Sequence, residues 1–431
     1  MPAYKLSSSA KRIHAKARNA DMHSQSITLR SGRLSATVDT KNLKLLVNSD
    51  EAPQTISEQC RNAILQPLGL PELARCVVPG DFVAIVIDPE TPDSIDLLVV
   101  VCEQLQSVPD EGITLSLMLP PEPANTGWKS FIERLPLHLQ QQLTVHVHDP
   151  ADTSQLSYVA SSVGGERIYV NRRISDADLL ITIGVICFDS LLGYRGTTSS
   201  VFPSFSEYDA ILQSRTQGHP ELTPDDERPY RQLVDEVGWL LGTQFSVQVV
   251  PGAGETPLAI LAGLPEDVMS AGKELVDRVW RVKSSKEAEA ILLSVPASGL
   301  TGWKQFGSAI EQAAKIVEPD GQIIVIADVP VPEGPAATML RRCQEPSELL
   351  KPLRREPTED AVEIVKLINT LNHARVYLYS HIPADIVEEL GMIAIEDASE
   401  LQRLTMASKN CVVLPNANYA WVGHAKPMLR G

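Results

Sequence analysis

Short apolar runs that alternate with helix-like segments constrain the fold of this chain more than any other feature. The clearest run, residues 82–87, reads Phe-Val-Ala-Ile-Val-Ile without polar alternation, which is typical of a parallel strand covered on both faces. The pattern continues with further strands at 113–118, 143–148 and 179–184, and with helices at 95–106 and 128–135. This alternation predicts a doubly wound α/β sheet, in which ligands bind beyond the carboxyl ends of the strands.

A second α/β unit follows a long amphipathic helix predicted at 268–280. Its predicted elements are strands at 290–295, 322–327, 376–379 and 411–414 and helices at 306–317, 362–371 and 384–390, with a turn at 318–321. Because 431 residues exceed one ordinary core, two domains are expected.

We therefore predict an α/β protein of two domains with a cleft between them. The N-terminal domain, residues 27–282, holds a doubly wound mixed or parallel sheet and opens with a β-hairpin, since residues 27–48 alternate apolar and polar side chains. The C-terminal α/β domain, 283–431, is smaller. Residues 1–26 are basic and rich in Ser and Ala, which favours a disordered tail, and an organelle transit peptide is the alternative.

Charge and composition exclude several kinds of partner. The net charge of −16 is spread along the chain, which argues against nucleic acid. No apolar stretch approaches the roughly 18 to 20 residues that span a bilayer. The six cysteines are scattered without a C-x-x-C pair, as expected for buried thiols in a reducing cytoplasm. We expect a cytoplasmic protein; the oligomeric state stays open.

Several stretches occur in one consistent order from about residue 27 to 425. They are RNAILQPLG at 61–69, PGD at 79–81, HD at 148–149, VNRR at 170–173, DADL at 176–179, AAKIVEPDG at 313–321 and VVLPN at 412–416. In this order the sequence resembles the nickel-dependent lactate racemase (LarA-like) family. The resemblance implies a two-domain α/β fold and, in active members, a nickel-pincer nucleotide as cofactor.

The first two functional positions of that family are altered here. After the strand at 82–87, the family reads Asp-x-x-Arg-Pro with a substrate-binding Arg, whereas this chain has Asp88 and places Thr91 at the Arg. After the second strand, one of the two acid/base histidines corresponds to Pro121. Proline cannot shuttle a proton near neutral pH.

The positions that hold the cofactor in the family are altered too. Gly193 and Gly196 fix the register, so that the second acid/base His corresponds to Asp189 and the cofactor-bearing Lys to Ser199. The nickel-ligating His corresponds to Arg215, which is not a nickel ligand. We expect no cofactor and no metal; His219 would serve as a ligand only if its loop were displaced.

The residues that replace the family's functional groups indicate a different kind of binding site. Glycine turns, hydroxyl groups and guanidinium groups near a strand end are suited to a carboxylate or phosphate. We predict a small anionic ligand, with Arg195 as the main charge; the predicted ligand-binding residues are Tyr194, Arg195, Thr197, Thr198, Ser199, Arg215 and Gln305. A polar surface loop is the alternative.

Three further positions carry alternatives. Asp88 and Asp189 are the candidate catalytic carboxylates, and turn capping is the alternative for each. Tyr194 and Trp303 could flank the cleft or serve in packing. We interpret His148 as structural, held by a loop hydrogen bond.

Three functions are compatible with these residues. The first, which we favour, is a LarA-like protein that lacks pincer-nickel racemase activity and binds a small anion in the interdomain cleft. The second is a 2-hydroxy acid racemase or epimerase, an isomerase that uses displaced groups such as His219. The third is a non-catalytic structural or regulatory partner protein. Fold resemblance transfers architecture more safely than chemistry.

Overall fold

A computed structural model describes most of the chain. The described residues are 26–39, 43–47, 54–106, 112–121, 128–162, 165, 167–215, 218–219, 221–242, 244–284, 288–296 and 302–424. The predicted basic tail therefore lies outside the described residues except for Ser26. Within the described part, no helix is long and apolar enough to cross a membrane.

The strands of the described residues are numbered in chain order. They are β1 Ser26–Ser31, β2 Leu34–Asp39, β3 Leu43–Leu45, β4 Phe82–Ile87, β5 Thr114–Leu119, β6 Thr144–Val147, β7 Leu156–Ser161, β8 Arg167–Asn171, β9 Leu179–Val185, β10 Cys187–Asp189, β11 Gly193–Arg195, β12 Gln244–Val250, β13 Ala259–Gly263, β14 Arg281–Ser284, β15 Ala288–Val295, β16 Val317–Ala327, β17 Arg375–Tyr379, β18 Ile393–Ala394, β19 Cys411–Leu414 and β20 Trp421–His424.

The α-helices of the described residues are numbered likewise. They are α1 Ile56–Leu65, α2 Ser94–Leu105, α3 Lys129–Arg134, α4 Leu137–Gln142, α5 Arg172–Ser175, α6 Tyr208–Ser214, α7 Pro229–Leu240, α8 Pro265–Trp280, α9 Gly302–Ala314, α10 Pro335–Arg341, α11 Leu350–Arg355, α12 Ala361–Leu371, α13 Ala384–Glu389 and α14 Ala398–Ala407.

The first large sheet has six strands in the order β13-β12-β9-β4-β5-β6. Its strands are parallel except for β13, which pairs antiparallel with β12 at the edge. Every residue of β9 and β12 is buried, because helices or loops cover both faces of a parallel sheet. One apolar cluster fills the face under α1 and α2. A second cluster fills the opposite face, under α7 and the hairpin of β7 and β8.

The second large sheet has the order β18-β17-β16-β15-β19-β3 and is parallel throughout. The hairpin of β1 and β2 covers one of its faces, where Leu29 and Val38 join Leu292 and Ile324 in one cluster. The opposite face packs on α9 and α12. The chain thus contributes β3 to the sheet formed mostly by its second half, and its β1–β2 hairpin packs on that sheet.

The predicted fold class is confirmed: two parallel or mixed sheets lie in an α/β arrangement. Strands β4 and β19 have the predicted bounds, and the opening hairpin is present. The predicted turn at 318–321 differs, because β16 runs through it as a bulge in which Asp320 has a φ of 62°. The sequence did not predict that β3 would join the second sheet or that the hairpin of β1 and β2 would pack on it. The predicted boundary near residue 282 stays a prediction.

Candidate functional site

A cleft of about 670 Å³ lies at the carboxyl ends of the strands of the first sheet. Loops after β4, β5 and β9 form one wall, and the start of α9 and of α12 from the second half forms the opposite wall. Because the carboxyl ends of parallel strands leave a crevice there, this is the position where such sheets bind ligands.

A network of alternating charges lines this cleft; Asp88, Glu90 and Arg195 are buried, and Lys304 reaches Glu90 from a half-exposed position. The guanidinium of Arg195 pairs with the carboxylates of Asp88 and Glu90, and Lys304 Nζ lies 2.6 Å from Glu90 Oε1. Asp88 and Arg195 are 3% and 9% exposed. Since Glu90 belongs to the first half and Lys304 to α9, the network joins the two walls.

The network shifts the pKa values of its members in opposite directions. Burial alone would raise the pKa of Glu90, but the attraction of Arg195 and Lys304 outweighs it and lowers that pKa. Burial would lower the pKa of Lys304, and the carboxylate of Glu90 raises it instead. Glu90 and Lys304 are therefore both ionised at neutral pH and stabilise each other's charge.

Local geometry fixes Arg195 in this position. The short antiparallel pair of β10 and β11 presents its side chain toward Asp88. The turn into the next segment requires glycine, because Gly196 has a φ of 128° and an added Cβ would lie 2.8 Å from Ile186 Cγ1. Asp88 Oδ1 in turn accepts the N–H of Glu90 at 2.9 Å, which shapes the loop after β4.

Asp189 and Ser199 line the cleft but are engaged in turns. Asp189 Oδ1 accepts the N–H groups of Leu191 and Leu192, each at 2.8 Å. Ser199 Oγ accepts the N–H of Gly196 at 2.8 Å and donates to its carbonyl at 3.1 Å. These bonds match the capping alternative for both aspartates, since Asp88 and Asp189 each accept a backbone N–H two residues ahead.

Three predicted ligand residues do not line the cleft among the described residues. The Tyr194 hydroxyl contacts Asp225 and Asp277 at 3.1 and 2.7 Å. Thr197 is 1% exposed and its N–H donates to Gln248, and Thr198 packs where a Cβ on Gly238 would lie 2.2 Å from its Cγ2. Thr197 and Thr198 lie buried in the short helix after Gly196, whereas Tyr194 precedes that turn on β11. The assignment of these three as ligand residues stays a prediction.

Arg215 and His219 do line the cleft. Arg215 ends α6 and is exposed, and no ion pair of its side chain is found among the described residues. His219 donates its N–H to the Ser190 carbonyl at 2.9 Å, and its Nδ1 lies 3.4 Å from Glu221 Oε1. Within the described residues no cluster of His, Cys, Asp and Glu is suited to holding a metal ion.

Gln305 is the most unusual polar residue of the cleft. It is 2% exposed and lies in the first turn of α9. Among the residues that the structure describes, neither its amide nitrogen nor its amide oxygen has a hydrogen-bond partner. A buried amide without a partner costs about 1–3 kcal/mol. Trp303 also lines the cleft, with its indole N–H bonded to the Pro330 carbonyl at 2.8 Å.

The sequence did not predict that charged residues from the second half of the chain would line the cleft. Besides Lys304, these cleft residues are Glu311, Lys315, Glu363 and Lys366. Their spacing on α9 and α12 is an ordinary helical charge pattern, and nothing in it shows that the two helices face the first sheet.

His148 lies away from the cleft and has the predicted structural role. Its Nε2 lies 2.7 Å from the Ser206 carbonyl, and its Nδ1 lies 3.0 Å from Asn171 Nδ2. Because an amide NH₂ is a donor, Nδ1 is the acceptor and Nε2 carries the proton. Burial lowers the pKa of His148, so the neutral ring is the stable form.

Fold and site together define an α/β protein with two large sheets and a polar cleft. Residues 29–221 match the family model described as the lactate racemase N-terminal domain. The fold is similar to that of the lactate racemase apoprotein from Thermoanaerobacterium thermosaccharolyticum, with a TM-score of 0.73, 16% identity, and coverage of 92% of this chain and 100% of that chain.

A protein from Thermotoga maritima studied by structural genomics is also similar, with a TM-score of 0.62, 14% identity, and coverage of 87% of this chain and 100% of that chain. No curated protein sequence matches. The N-terminal part of the chain therefore matches the lactate racemase N-terminal domain family, and the chain as a whole shares the fold of these two structures.

Proposed function

We propose that this LarA-like protein binds a small molecule bearing a carboxylate or phosphate in its cleft and does not carry out pincer-nickel racemisation. The observation that carries the proposal is the unpartnered, buried amide of Gln305 at the cleft wall. Its NH₂ group can donate two hydrogen bonds to an anionic oxygen. It lies in the first turn of α9, where the helix dipole favours negative charge.

The main charge of the proposed site is Arg215 rather than Arg195. Two carboxylates already satisfy the guanidinium of Arg195, so an anion would have to displace one of them. Arg215 is exposed at the cleft and has no ion pair within the described residues. A guanidinium binds carboxylate and phosphate oxygens in a bidentate manner, which supports a ligand held between Arg215 and Gln305.

The residues present do not fit the nickel-pincer nucleotide. The family's cofactor-bearing amine corresponds to the Ser199 hydroxyl, whose hydrogen bonds both go to Gly196. At the position of the metal-ligating imidazole stands Arg215, a permanent cation. Pro121 and Asp189 stand where the acid/base imidazoles would be, and Asp189 caps a turn. These four replacements support a cleft without that cofactor.

The test is a thermal-shift screen at constant ionic strength with lactate, inorganic phosphate, glycerol phosphate and glycerol as the uncharged control. Binding raises the free energy of unfolding by about 2.7 kcal/mol at a ligand concentration of 100 times Kd. We expect stabilisation by at least one anion and none by glycerol. Lack of any stabilisation would favour the structural or regulatory partner protein instead.

A second assay addresses the racemase alternative. The protein is co-expressed with enzymes that make the nickel-pincer nucleotide, and nickel content and lactate racemisation are measured, with an authentic lactate racemase as positive control. We expect a nickel-free, inactive product. A nickel-bearing product that racemises lactate would establish displaced catalytic groups, with His219 as the first candidate. The proposed location, the cytoplasm, is supported by sequence composition alone.

A further inference from the structure

Lysine side chains from the second half line the cleft, and all but one of them are held in ion pairs. Lys304 pairs with Glu90, and Lys366 pairs with Glu311 at 3.1 Å. Lys315 lines the same cleft, but no ion pair of its ammonium is found among the described residues. These lysines therefore differ in the one property that controls amine reactivity, the stabilisation of the charged form.

The surroundings of Lys315 provide little stabilisation of a positive charge. Its Nζ lies 3.3 Å from the amide oxygen of Gln312, an oxygen that also accepts the N–H of Val422 at 2.9 Å. The side chain is half-buried at the end of α9. Lys366 is 8% exposed and pairs with Glu311. The carboxylate of Glu311, four residues before Lys315, is therefore already engaged by another cation.

These contacts explain the direction in which the amine titrates. Burial lowers the pKa of Lys315; the carboxylate of Glu311 opposes this, and the ammonium of Lys366 adds to it. Burial next to a second cation is the arrangement by which proteins activate lysine as a nucleophile. The pKa of Lys304, which shares the cleft, is raised by Glu90, so Lys304 provides an internal comparison.

We propose that Lys315 is the nucleophilic amine of the cleft and forms an imine with a small aldehyde or ketone that enters it. The nitrogen lone pair attacks the carbonyl carbon, and a proton passes from nitrogen to oxygen to give a carbinolamine. Loss of water leaves the carbon–nitrogen double bond. The step needs no oxidant or reductant and is reversible by hydrolysis, because the cleft is open to solvent. The proposal does not depend on Gln305 or on anion binding.

The test uses the intact protein with glyoxylate as the aldehyde and sodium borohydride to reduce the imine to a stable amine. Peptide mass spectrometry then gives the labelling rate of each lysine at pH 7 and at pH 11. We expect Lys315 to be labelled several-fold faster than Lys304 and the exposed Lys351 at pH 7. The advantage over Lys351 should largely disappear at pH 11, where exposed lysines are mostly neutral, whereas Lys304 should remain slower because Glu90 raises its pKa.

A variant separates activation from simple accessibility. In Lys366→Met, Glu311 loses its partner and becomes available to Lys315, so labelling of Lys315 at pH 7 should fall toward that of Lys304. Lys351→Met, on α11, is the matched control and should change nothing.

Equal labelling of Lys315 and Lys351 at pH 7 would overturn the proposal, as would an undiminished advantage over Lys351 at pH 11. Wild-type labelling alone decides this even if Lys366→Met fails to fold. Anion binding without Lys315 labelling would refute this inference and leave the proposed function intact.

Discussion

Replacing Arg195 by Met tests whether the charge network holds the base of the cleft together. Arg195 is buried and is the common partner of Asp88 and Glu90. Removing one member of a buried ion network costs about 3–5 kcal/mol because it leaves uncompensated charge. Lys304 stays available to Glu90, so the loss falls mainly on Asp88 and the expected cost is about 3 kcal/mol, the lower end of that range.

The assay is urea unfolding, with the free energy taken from the midpoint at an unchanged slope. The control is Arg341→Met, since Arg341 forms an ion pair with Glu389 at side-chain exposures of 32% and 45% and such pairs contribute about 0–1 kcal/mol.

The dependence of stability on pH adds a second criterion. In the wild type the lowered pKa of Glu90 contributes stability above about pH 4.5, its ordinary pKa, which is lost as pH falls through the lowered value.

In Arg195→Met the carboxylate of Asp88 is left buried without a cationic partner, which favours its protonated form, so the difference between variant and wild type should shrink as pH falls from 7 to 5. A cost under about 1 kcal/mol, the level of an exposed pair, would refute the reasoning. A difference that stays constant between pH 7 and pH 5 would contradict it as well.

Two further predictions concern packing and pH. Gly272→Ala on α8 should cost about 1–3 kcal/mol in urea unfolding, because its Cβ would lie 2.3 Å from Ile186 Cδ1. Gly307→Ala on α9 is the matched control and should stabilise by up to about 1 kcal/mol, since its nearest contact would be at 3.5 Å and alanine favours helix; equal effects would refute this packing. For His148, burial lowers the pKa below 6.5, so the unfolded chain binds more protons and the free energy of unfolding should fall as pH drops below 6.5. Urea unfolding of His148→Gln between pH 5 and 8 should show a shallower dependence, and an unchanged slope would contradict the prediction.

The strands of both large sheets could be predicted from the sequence because their apolar runs have the length and flanking turns of buried strands. Strand β4 is such a case. The hairpin of β7 and β8 was missed, since the exposed Tyr158 and the polar residues around it give no clear alternation. The place of β3 in the second sheet depends on a long-range pairing with β19, which local patterns do not encode.

The candidate site was predicted only in part for a similar reason. The loops that follow β4 and β9 were expected to meet, and Asp88 and Arg195 do. The sequence analysis assigned the positive charge of Arg195 to the ligand, but in the structure the carboxylate of Asp88 neutralises it. Glu90 lies two residues after Asp88. Its pairing with Lys304 could not be predicted from local patterns, because the two residues are 214 positions apart in the chain. Only the fold shows that, within the described residues, the amide of Gln305 has no hydrogen-bond partner and the ammonium of Lys315 has no ion pair.

The central claim is that Gln305 completes its hydrogen bonds with an anionic ligand in the cleft. Isothermal titration calorimetry of the best anion from the thermal-shift screen, into the wild type and into Gln305→Met, tests it most directly; Gln59→Met, on α1 outside the cleft, is the control. Loss of a hydrogen bond to a charged group is worth about 1.5–3 kcal/mol, so we expect Kd to rise by about 10- to 150-fold in Gln305→Met and to stay unchanged in Gln59→Met. An unchanged Kd in Gln305→Met would contradict the account.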